Sequence, residues 1–219
     1  MKLSQWVIRR FALLGIQLMI LLARLFSWQW GARLGRLLGI TAYYCLSKER
    51  QKAIQHLTLV FGDKLSPQAL HEIARNCFAH LGMGFFELVN LPRLDQDRLS
   101  ELVKIEGEEN LSNAMKEGRG VIYIGGHIGN WELMAAVVAM KGYSLKVIAA
   151  PIYDQRLDQL MSRYRSRFGI ETIQRGNIRS ARQIISGLRQ GCMLAFLIDQ
   201  NTRVEGTYVD FFGRPAYTP

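Results

Sequence analysis

The residues best suited to chemistry in this 219-residue sequence are His127 and Glu132. They stand in the segment Gly125-Gly126-His127-Ile128-Gly129-Asn130-Trp131-Glu132, where an apolar run ends in two glycines and a helical pattern begins near Trp131. Asn130 is a natural helix N-cap, and Glu132 falls in the first turn, where the helix dipole favours a carboxylate. On one helix, residues five apart would lie about 140° apart. With His127 in the loop, the chain can instead fold back and bring the two side chains together.

A histidine that is paired with a carboxylate can act as a general base. The imidazole takes a proton from a hydroxyl, while the carboxylate fixes its tautomer and stabilises the imidazolium. The hydroxyl oxygen then attacks an acyl carbonyl, and N–H groups at the start of the helix are placed to hold the resulting oxyanion. The segment therefore predicts acyl transfer to a hydroxyl group.

From residue 105 onward, short apolar runs alternate with helical patterns, which predicts an α/β fold with a mostly parallel mixed sheet flanked by helices. The runs are 120–126, 145–151, 170–174 and 192–199, the helical patterns are 107–117, 131–142, 153–168 and 178–190, and a last strand is predicted at 207–212. Open α/β sheets bind ligands at the carboxyl ends of their strands. His127 lies at such an end, and Asp199 and Gln200 are expected at the same edge of the sheet.

Three domains are predicted: a membrane-anchoring helix over 1–30, a helical region over 31–104, and the α/β core over 105–219. In the second, Ser66 is the expected N-cap of a helix with Pro67 at its first position, and Leu91-Pro92 ends the helical stretch. No closing helix follows the last predicted strand, so the core is expected to be truncated at its C-terminus.

The N-terminal segment is apolar and flanked by basic residues, which favours a membrane. Residues 11–23 contain Gln17 as their only strongly polar side chain, and tryptophans stand on both sides of the run. Residues 1–60 hold nine Lys or Arg and one Glu, a net charge of +8. The pattern fits both a spanning helix and an in-plane helix. The basic residues after the run place the body on the cytoplasmic side, and a buried core helix is the alternative.

Composition excludes several other classes. Hydrophobic residues make up 49% and charged residues 21% of the sequence, which is not the composition of a disordered chain. The three cysteines lie far apart without a CxxC motif, so a disulfide scaffold and a cysteine zinc site are excluded.

The order and spacing of several short motifs resemble the lipid A late acyltransferases, the lauroyl and myristoyl transferases of lipopolysaccharide biosynthesis, within the wider group of His-x4-Asp/Glu glycerolipid acyltransferases. The resemblance runs over most of the chain. After the basic apolar N-terminus it is carried by Phe78-x3-Gly82-x3-Phe86-Glu87, His127-x4-Glu132, Arg175-Gly176-Asn177, Asp199-Gln200 and Val209-x-Phe211-Phe212-Gly213. One departure is His56, where related sequences usually have Asn.

This resemblance implies transfer of a fatty acyl chain from acyl carrier protein to a hydroxyl of a lipid A precursor, at the cytoplasmic face of the cell inner membrane. It implies that His127 is the general base and Glu132 its partner, with no metal, no other cofactor and no covalent acyl-enzyme. Arg175, Asn130, Asp199 and Gln200 are the expected substrate-binding residues. Arg175 is singled out because it follows a strand, and Asn177 is expected to begin a helix, an arrangement suited to an anion.

Other functions remain open at this stage. The acceptor could be another glycolipid or a phospholipid. A non-catalytic membrane-binding protein would use the basic N-terminus but leaves the Gly-Gly-His junction unexplained. A zinc hydrolase using His127 and Glu132 lacks a third ligand at a familiar spacing. Nucleic-acid binding is the weakest alternative, because the excess charge flanks a membrane-type run and no recognised motif is present.

Overall fold

The computed structural model describes residues 20–21, 23, 25–152, 154–200 and 205–218. The chain divides into two compact units, one ending at Arg93 and the other starting at Leu94. Most of the apolar run at 11–23 lies outside the described residues, so the anchoring helix over 1–30 and the proposed three-domain division stay predictions. Among the helices that the structure does describe, none is both long and apolar enough to cross a bilayer.

The described residues of the first unit are largely helical. Helix α1 spans Trp28–Cys45, α2 spans Ser47–Phe61, α3 spans Pro67–Asn90, and a short 3-10 turn follows at Leu91–Arg93. The predicted start of α3 is confirmed, because the Ser66 hydroxyl accepts a hydrogen bond from the backbone N–H of Ala69 at 3.3 Å and Pro67 is the first helical residue. The helix ends just before Leu91-Pro92, as predicted.

Helices α1 and α3 pack with their backbones almost in contact. Gly31, Gly35 and Gly39 recur every four residues along α1, so they share one face of the helix, and all three are buried. A Cβ added at Gly35 would lie closer than 3.0 Å to the carbonyl oxygen of Gly82, and one at Gly82 would clash with Gly35 in the same way. The close approach therefore depends on the absence of side chains at these positions.

The second unit is the α/β core, and it confirms the predicted fold class. Its elements in chain order are α4 Gln96–Leu102, α5 Glu108–Lys116, β1 Val121–Gly125, α6 Trp131–Met140, β2 Leu145–Ala149, α7 Gln155–Arg167, β3 Glu171–Gln174, α8 Ser180–Arg189 and β4 Met193–Leu197. Each of the four predicted apolar runs contains one of these strands, and each predicted helical pattern contains one helix. The continuous apolar character of the runs suits strands between helices, although Ile122 and Ile124 on β1 are 56% and 62% exposed.

All four strands are parallel and lie in the order β1-β4-β2-β3. The last residues of β1 and β4, Gly125 and Leu197, are paired, as are Ala149 and Gln174 at the ends of β2 and β3. The carboxyl ends of the strands therefore meet at one edge. On one face of the sheet, Leu145, Ile170 and Met193 form a buried cluster with apolar side chains of α5 and α6.

The last predicted strand exists but does not join this sheet. Strands β5 Thr207–Phe211 and β6 Arg214–Thr218 form a separate antiparallel hairpin. At its turn Phe212 has a φ of 56°, and the Asp210 side chain accepts a hydrogen bond from the backbone N–H of Gly213 at 2.9 Å. The β6 strand was not anticipated from the sequence, because Pro215 within it speaks against a strand.

The close contact between Gly35 and Gly82 predicts that replacing either glycine by alanine destabilises the protein. In an ordinary helix interior, replacing glycine by alanine stabilises the protein. Gly35→Ala and Gly82→Ala should instead lower the free energy of unfolding by about 1 to 3 kcal/mol, because the new methyl group meets backbone rather than a side chain that can move. Urea unfolding followed by circular dichroism measures this.

Gly31→Ala is the matched control on the same face. Its methyl group would first meet the Phe86 ring at 3.2 Å, and a ring can yield where a backbone cannot. Gly31→Ala should therefore lower the free energy of unfolding clearly less than Gly35→Ala does. An increase in stability in Gly35→Ala would contradict the close packing of α1 on α3.

Candidate active site

The candidate site lies at the carboxyl edge of the parallel sheet. His127 stands in the loop after β1, and Asp199 stands two residues after β4. Since β1 and β4 are direct neighbours and end in register, these two loops leave the sheet side by side. The expectation that His127 and Asp199 share one edge is confirmed.

The Asp199 carboxylate holds His127 by two hydrogen bonds. Oδ2 accepts the backbone N–H of His127 at 2.7 Å, and Oδ1 lies 2.6 Å from ring Nδ1. A carboxylate can only accept, so Nδ1 carries the proton and Nε2 keeps its lone pair. Gly126 makes room for this contact, because a Cβ there would lie 3.1 Å from Oδ2. The imidazole also stacks edge-on against Trp131, with 4.8 Å between ring centroids.

The environment keeps Asp199 ionised at neutral pH. Partial burial works against the charged form, but the hydrogen bonds from the side chain and backbone of His127 outweigh it and hold the pKa of Asp199 below its ordinary value. A lowered pKa means that the carboxylate stabilises the fold at neutral pH. That contribution is lost only when the pH falls through the lowered value.

Glu132 is not bonded to His127, which corrects the expected His127–Glu132 pairing. Its carboxylate receives two hydrogen bonds from Arg165 on α7, Nε to Oε2 at 3.0 Å and a terminal nitrogen to Oε1 at 2.5 Å. Such forked pairs are geometrically specific. Glu132 is only 8% exposed, so α6 and α7 are joined by a largely buried ion pair. The physical reason is that Glu132, in the first turn of α6, faces α7, whereas the loop after β4 places Asp199 beside His127.

Tyr164 precedes Arg165 in the sequence, and both charges of the ion pair influence its pKa. Burial, reinforced by the negative charge of Glu132, raises the pKa of the Tyr164 phenol, and the positive charge of Arg165 opposes the shift. The hydroxyl is buried without a hydrogen-bond partner. The ion pair is therefore set in a poorly solvated region, where electrostatic contacts are stronger than in water.

The local structure around Asn130 is as predicted. Its side chain accepts a hydrogen bond from the backbone N–H of Leu133 at 3.0 Å, and α6 begins at Trp131. Gly129, just before it, adopts a φ of 62°, which glycine reaches without strain. Of the N–H groups expected to hold an oxyanion at this helix start, that of Leu133 is therefore taken by the cap.

The loop after β3 departs from expectation in one respect. Arg175 follows β3 directly, as predicted, and its backbone N–H donates to the carbonyl of Ala149 at 2.8 Å. Asn177, however, does not begin the next helix, which starts at Ser180. Its side chain accepts from the backbone N–H of Arg179 at 3.0 Å instead and closes a turn inside the loop.

A cavity of about 810 Å³ opens at this site. Its polar lining includes His127, Glu132, Arg165, Arg175 and Gln200, so four of the predicted site residues meet around one space together with Arg165, one of the arginines of the basic stretch 156–182. The rest of the lining is mainly apolar and comes from the sheet and its helices: Val147, Ile148, Ala149, Ile184, Ala195, Phe196, Leu197, Trp131 and Met134 among others. A mainly apolar space of this volume with a few polar groups suits an acyl chain that carries one reactive end.

Two functional contacts were missed from the sequence. Asp199 was expected to bind substrate rather than to hold His127, because the order of the strands could not be read from the chain. Arg165 was one arginine among several on a helical stretch. The sequence signal for it is Glu132 itself, the one charged residue in the otherwise apolar helix Trp131–Met140, because a carboxylate buried there needs a cation nearby. Within the described residues, no group of three His, Cys, Asp or Glu side chains is placed to hold a metal ion.

Comparison with known proteins finds relatives among the acyltransferases. The chain is 27% identical over 180 residues to the lipid A biosynthesis palmitoleoyltransferase of Escherichia coli (strain K12), which covers 82% of this chain and 57% of that protein. It is 25% identical over 154 residues to the phosphatidylinositol mannoside acyltransferase of Mycolicibacterium smegmatis, covering 68% and 49%. The chain thus spans about half the length of these curated relatives.

The sequence model of the bacterial lipid A biosynthesis acyltransferases matches residues 2–219. That match includes both the helical unit and the whole α/β core with His127, Asp199 and the cavity. Because it covers nearly the entire sequence, the chain belongs to the bacterial lipid A biosynthesis acyltransferase family.

Proposed function

We propose that this protein transfers a fatty acyl chain from acyl carrier protein to a hydroxyl of a lipid A precursor, with His127 as the general base. Family membership supports the reaction class. The observation that carries the mechanism is the double hydrogen bond from His127 to Asp199 at the wall of a largely apolar cavity. It gives the imidazole the tautomer that a base needs.

The reaction then follows from the geometry of the imidazole. Nε2 takes the proton of the acceptor hydroxyl as its oxygen attacks the thioester carbonyl of the donor. The tetrahedral intermediate collapses, the carbon–sulfur bond breaks, and the leaving thiolate takes the proton back from the imidazolium. Throughout, the ionised Asp199 stabilises the positive charge that the ring transiently carries. The new ester and the free thiol balance the step.

The apolar wall of the cavity is the proposed site for the acyl chain. The proposed polar contacts are Arg175 for a phosphate of the lipid or of the carrier's pantetheine arm, and Asn130 and Gln200 for other polar groups of the substrates. The catalytic assignment of Glu132 stays a prediction. Its contact with Arg165 supports a different role, in which it positions that arginine on the cavity wall.

The acceptor is the least constrained part of this proposal. One relative is named for phosphatidylinositol mannoside, so another glycolipid is the second candidate. Assays of the purified protein with acyl carrier proteins that carry acyl chains of several lengths, and with either a tetraacylated lipid A precursor or a phosphatidylinositol mannoside, would separate the two.

We also propose that residues 1–30 anchor the protein to the inner membrane, with its body on the cytoplasmic side.

Removing the imidazole should abolish most of the activity. In His127→Ala, no group remains to accept the hydroxyl proton, so kcat should fall by roughly 10² to 10⁴-fold, the usual contribution of general base catalysis. Steady-state assays with acyl carrier protein as donor measure this. His80→Ala, at an exposed position on α3, is the control and should leave kcat unchanged. Near-normal transfer by a folded His127→Ala would overturn the mechanism.

The two carboxylates should differ in their coupling to His127. Asp199→Asn removes the charge that favours the imidazolium, and the double variant with His127→Ala should be hardly slower than His127→Ala alone, since the two residues act as one unit. Glu132→Gln should couple instead to Arg165→Gln. The measurement is kcat for each single and double variant. Strong coupling of Glu132 to His127 would restore Glu132 as the catalytic partner.

Glu132→Gln should also destabilise the protein. The substitution leaves the Arg165 guanidinium, whose side chain is only 16% exposed, without its counter-charge. Breaking a largely buried pair in this way costs about 3 kcal/mol. Glu101→Gln, which removes an exposed partner of Arg98, should cost almost nothing. Chemical denaturation compares the two, and equal losses would show that the Glu132 pair contributes no more than a surface contact.

A further inference from the structure

Three isoleucines are exposed on three separate loops at the carboxyl edge of the sheet. Ile128 follows β1 and is 85% exposed, Ile178 follows β3 and is 94% exposed, and Ile152 follows β2 and is 40% exposed. A single exposed isoleucine is ordinary. Three of them, on loops that leave one edge of one sheet, place apolar side chains around the edge that carries His127.

Hydrogen bonds fix the backbone at or beside each of these isoleucines. The N–H of Ile128 donates to the carbonyl of Gly126 at 2.8 Å, and the N–H of Ile152 donates to the Asp158 carboxylate at 2.9 Å. Next to Ile178, the Asn177 side chain and carbonyl accept from Arg179 and Ser180 at 3.0 and 2.9 Å. The turns therefore hold the isoleucines in solvent.

The same loops carry positive charge. Residues 126–130, 150–156 and 175–182 contain four arginines and one acid, Asp154. Arg156, Arg179 and Arg182 are exposed. Other acids near this edge keep their negative charge: Asp158 accepts from Ile152 and Gln174, Asp199 accepts from His127, and Glu205 lines the cavity. The three loops that carry the isoleucines thus combine exposed apolar groups with a net positive charge.

We propose that this surface, the isoleucine edge formed by Ile128, Ile152 and Ile178 with Arg156, Arg179 and Arg182, rests on a lipid bilayer that contains anionic lipids. Isoleucine side chains lose water contact in the headgroup region, and arginines pair with phosphates there. A charged protein partner would use the arginines but gives no reason for turns that keep Ile178 almost fully exposed. The inference stands on exposure and charge, and it does not rest on the proposed reaction.

A fluorescent probe at the edge tests the proposal directly. The exposed thiols of Cys45 and Cys77 are first replaced by serine, and Cys192, which is buried, is kept. An environment-sensitive nitrobenzoxadiazole label is then placed at Ile178→Cys or, as a control, at Gln190→Cys, an exposed position preceding β4 at the opposite edge. The probe vesicles contain phosphatidylethanolamine and phosphatidylglycerol.

The label at 178 should shift to the blue and brighten on vesicles, and the label at 190 should not change. Three outcomes overturn the proposal: no vesicle binding, no change at 178 in vesicle-bound protein, or the same change at both positions. A shift at 178 on adding soluble acyl carrier protein, without vesicles and without a larger shift on vesicles, assigns the edge to a protein partner and also overturns it.

Substitution gives a second, activity-independent measurement. Ile152→Ser combined with Ile178→Ser should weaken partitioning into the same vesicles by roughly tenfold, because two apolar side chains no longer contribute. Ile122→Ser, at a 56% exposed isoleucine near the start of β1 and so toward the opposite edge of the sheet, is the matched control and should change partitioning little. Equal losses in both proteins would show that the edge has no special role.

Discussion

The candidate site depends on one contact, in which the Asp199 carboxylate accepts hydrogen bonds from the backbone N–H and the ring N–H of His127. One bond holds the backbone of the loop and the other holds the ring, so position and tautomer are set together. The contact requires β1 and β4 to be parallel neighbours that end in register, because only then do their following loops run side by side. A Cβ at position 126 would crowd this contact, because it would lie 3.1 Å from Oδ2 of Asp199. A change in strand order or register would separate the base from its carboxylate.

A second constraint is an ion pair that also lines the cavity. The pair between Glu132 and Arg165 ties the start of α6 to the end of α7 across a region from which water is largely excluded. A buried pair of this kind adds little net stability but permits few alternative arrangements. It therefore fixes where Arg165 stands relative to His127. In this arrangement the two members of the His-x4-Glu spacing serve one cavity through two different partners.

The elements of the α/β core could be predicted from the chain because their signals are local. Continuous apolar runs gave β1 to β4, and Asn130 and Ser66 marked helix starts by capping that the structure confirms. The partners of His127 and Glu132 could not be predicted, because they depend on contacts across 72 and 33 positions of sequence. Proximity in the chain favoured Glu132 for the histidine. The strand order β1-β4-β2-β3, which no local pattern encodes, placed Asp199 there instead.

This difference explains how one short motif can serve two purposes. Asn130 caps α6, so the helix starts four residues after His127, and Glu132 in its first turn pairs with Arg165 on α7. Had Glu132 been needed to cap the helix or to hold the histidine, it could not have paired with Arg165. Because Asn130 supplies the cap and Asp199 holds the histidine, the Glu132 carboxylate can pair with Arg165 beside the apolar part of the cavity. The cavity is thereby lined by His127 and by an Arg165 guanidinium whose charge is balanced by Glu132. In the proposed reaction, His127 would accept the proton of the attacking hydroxyl.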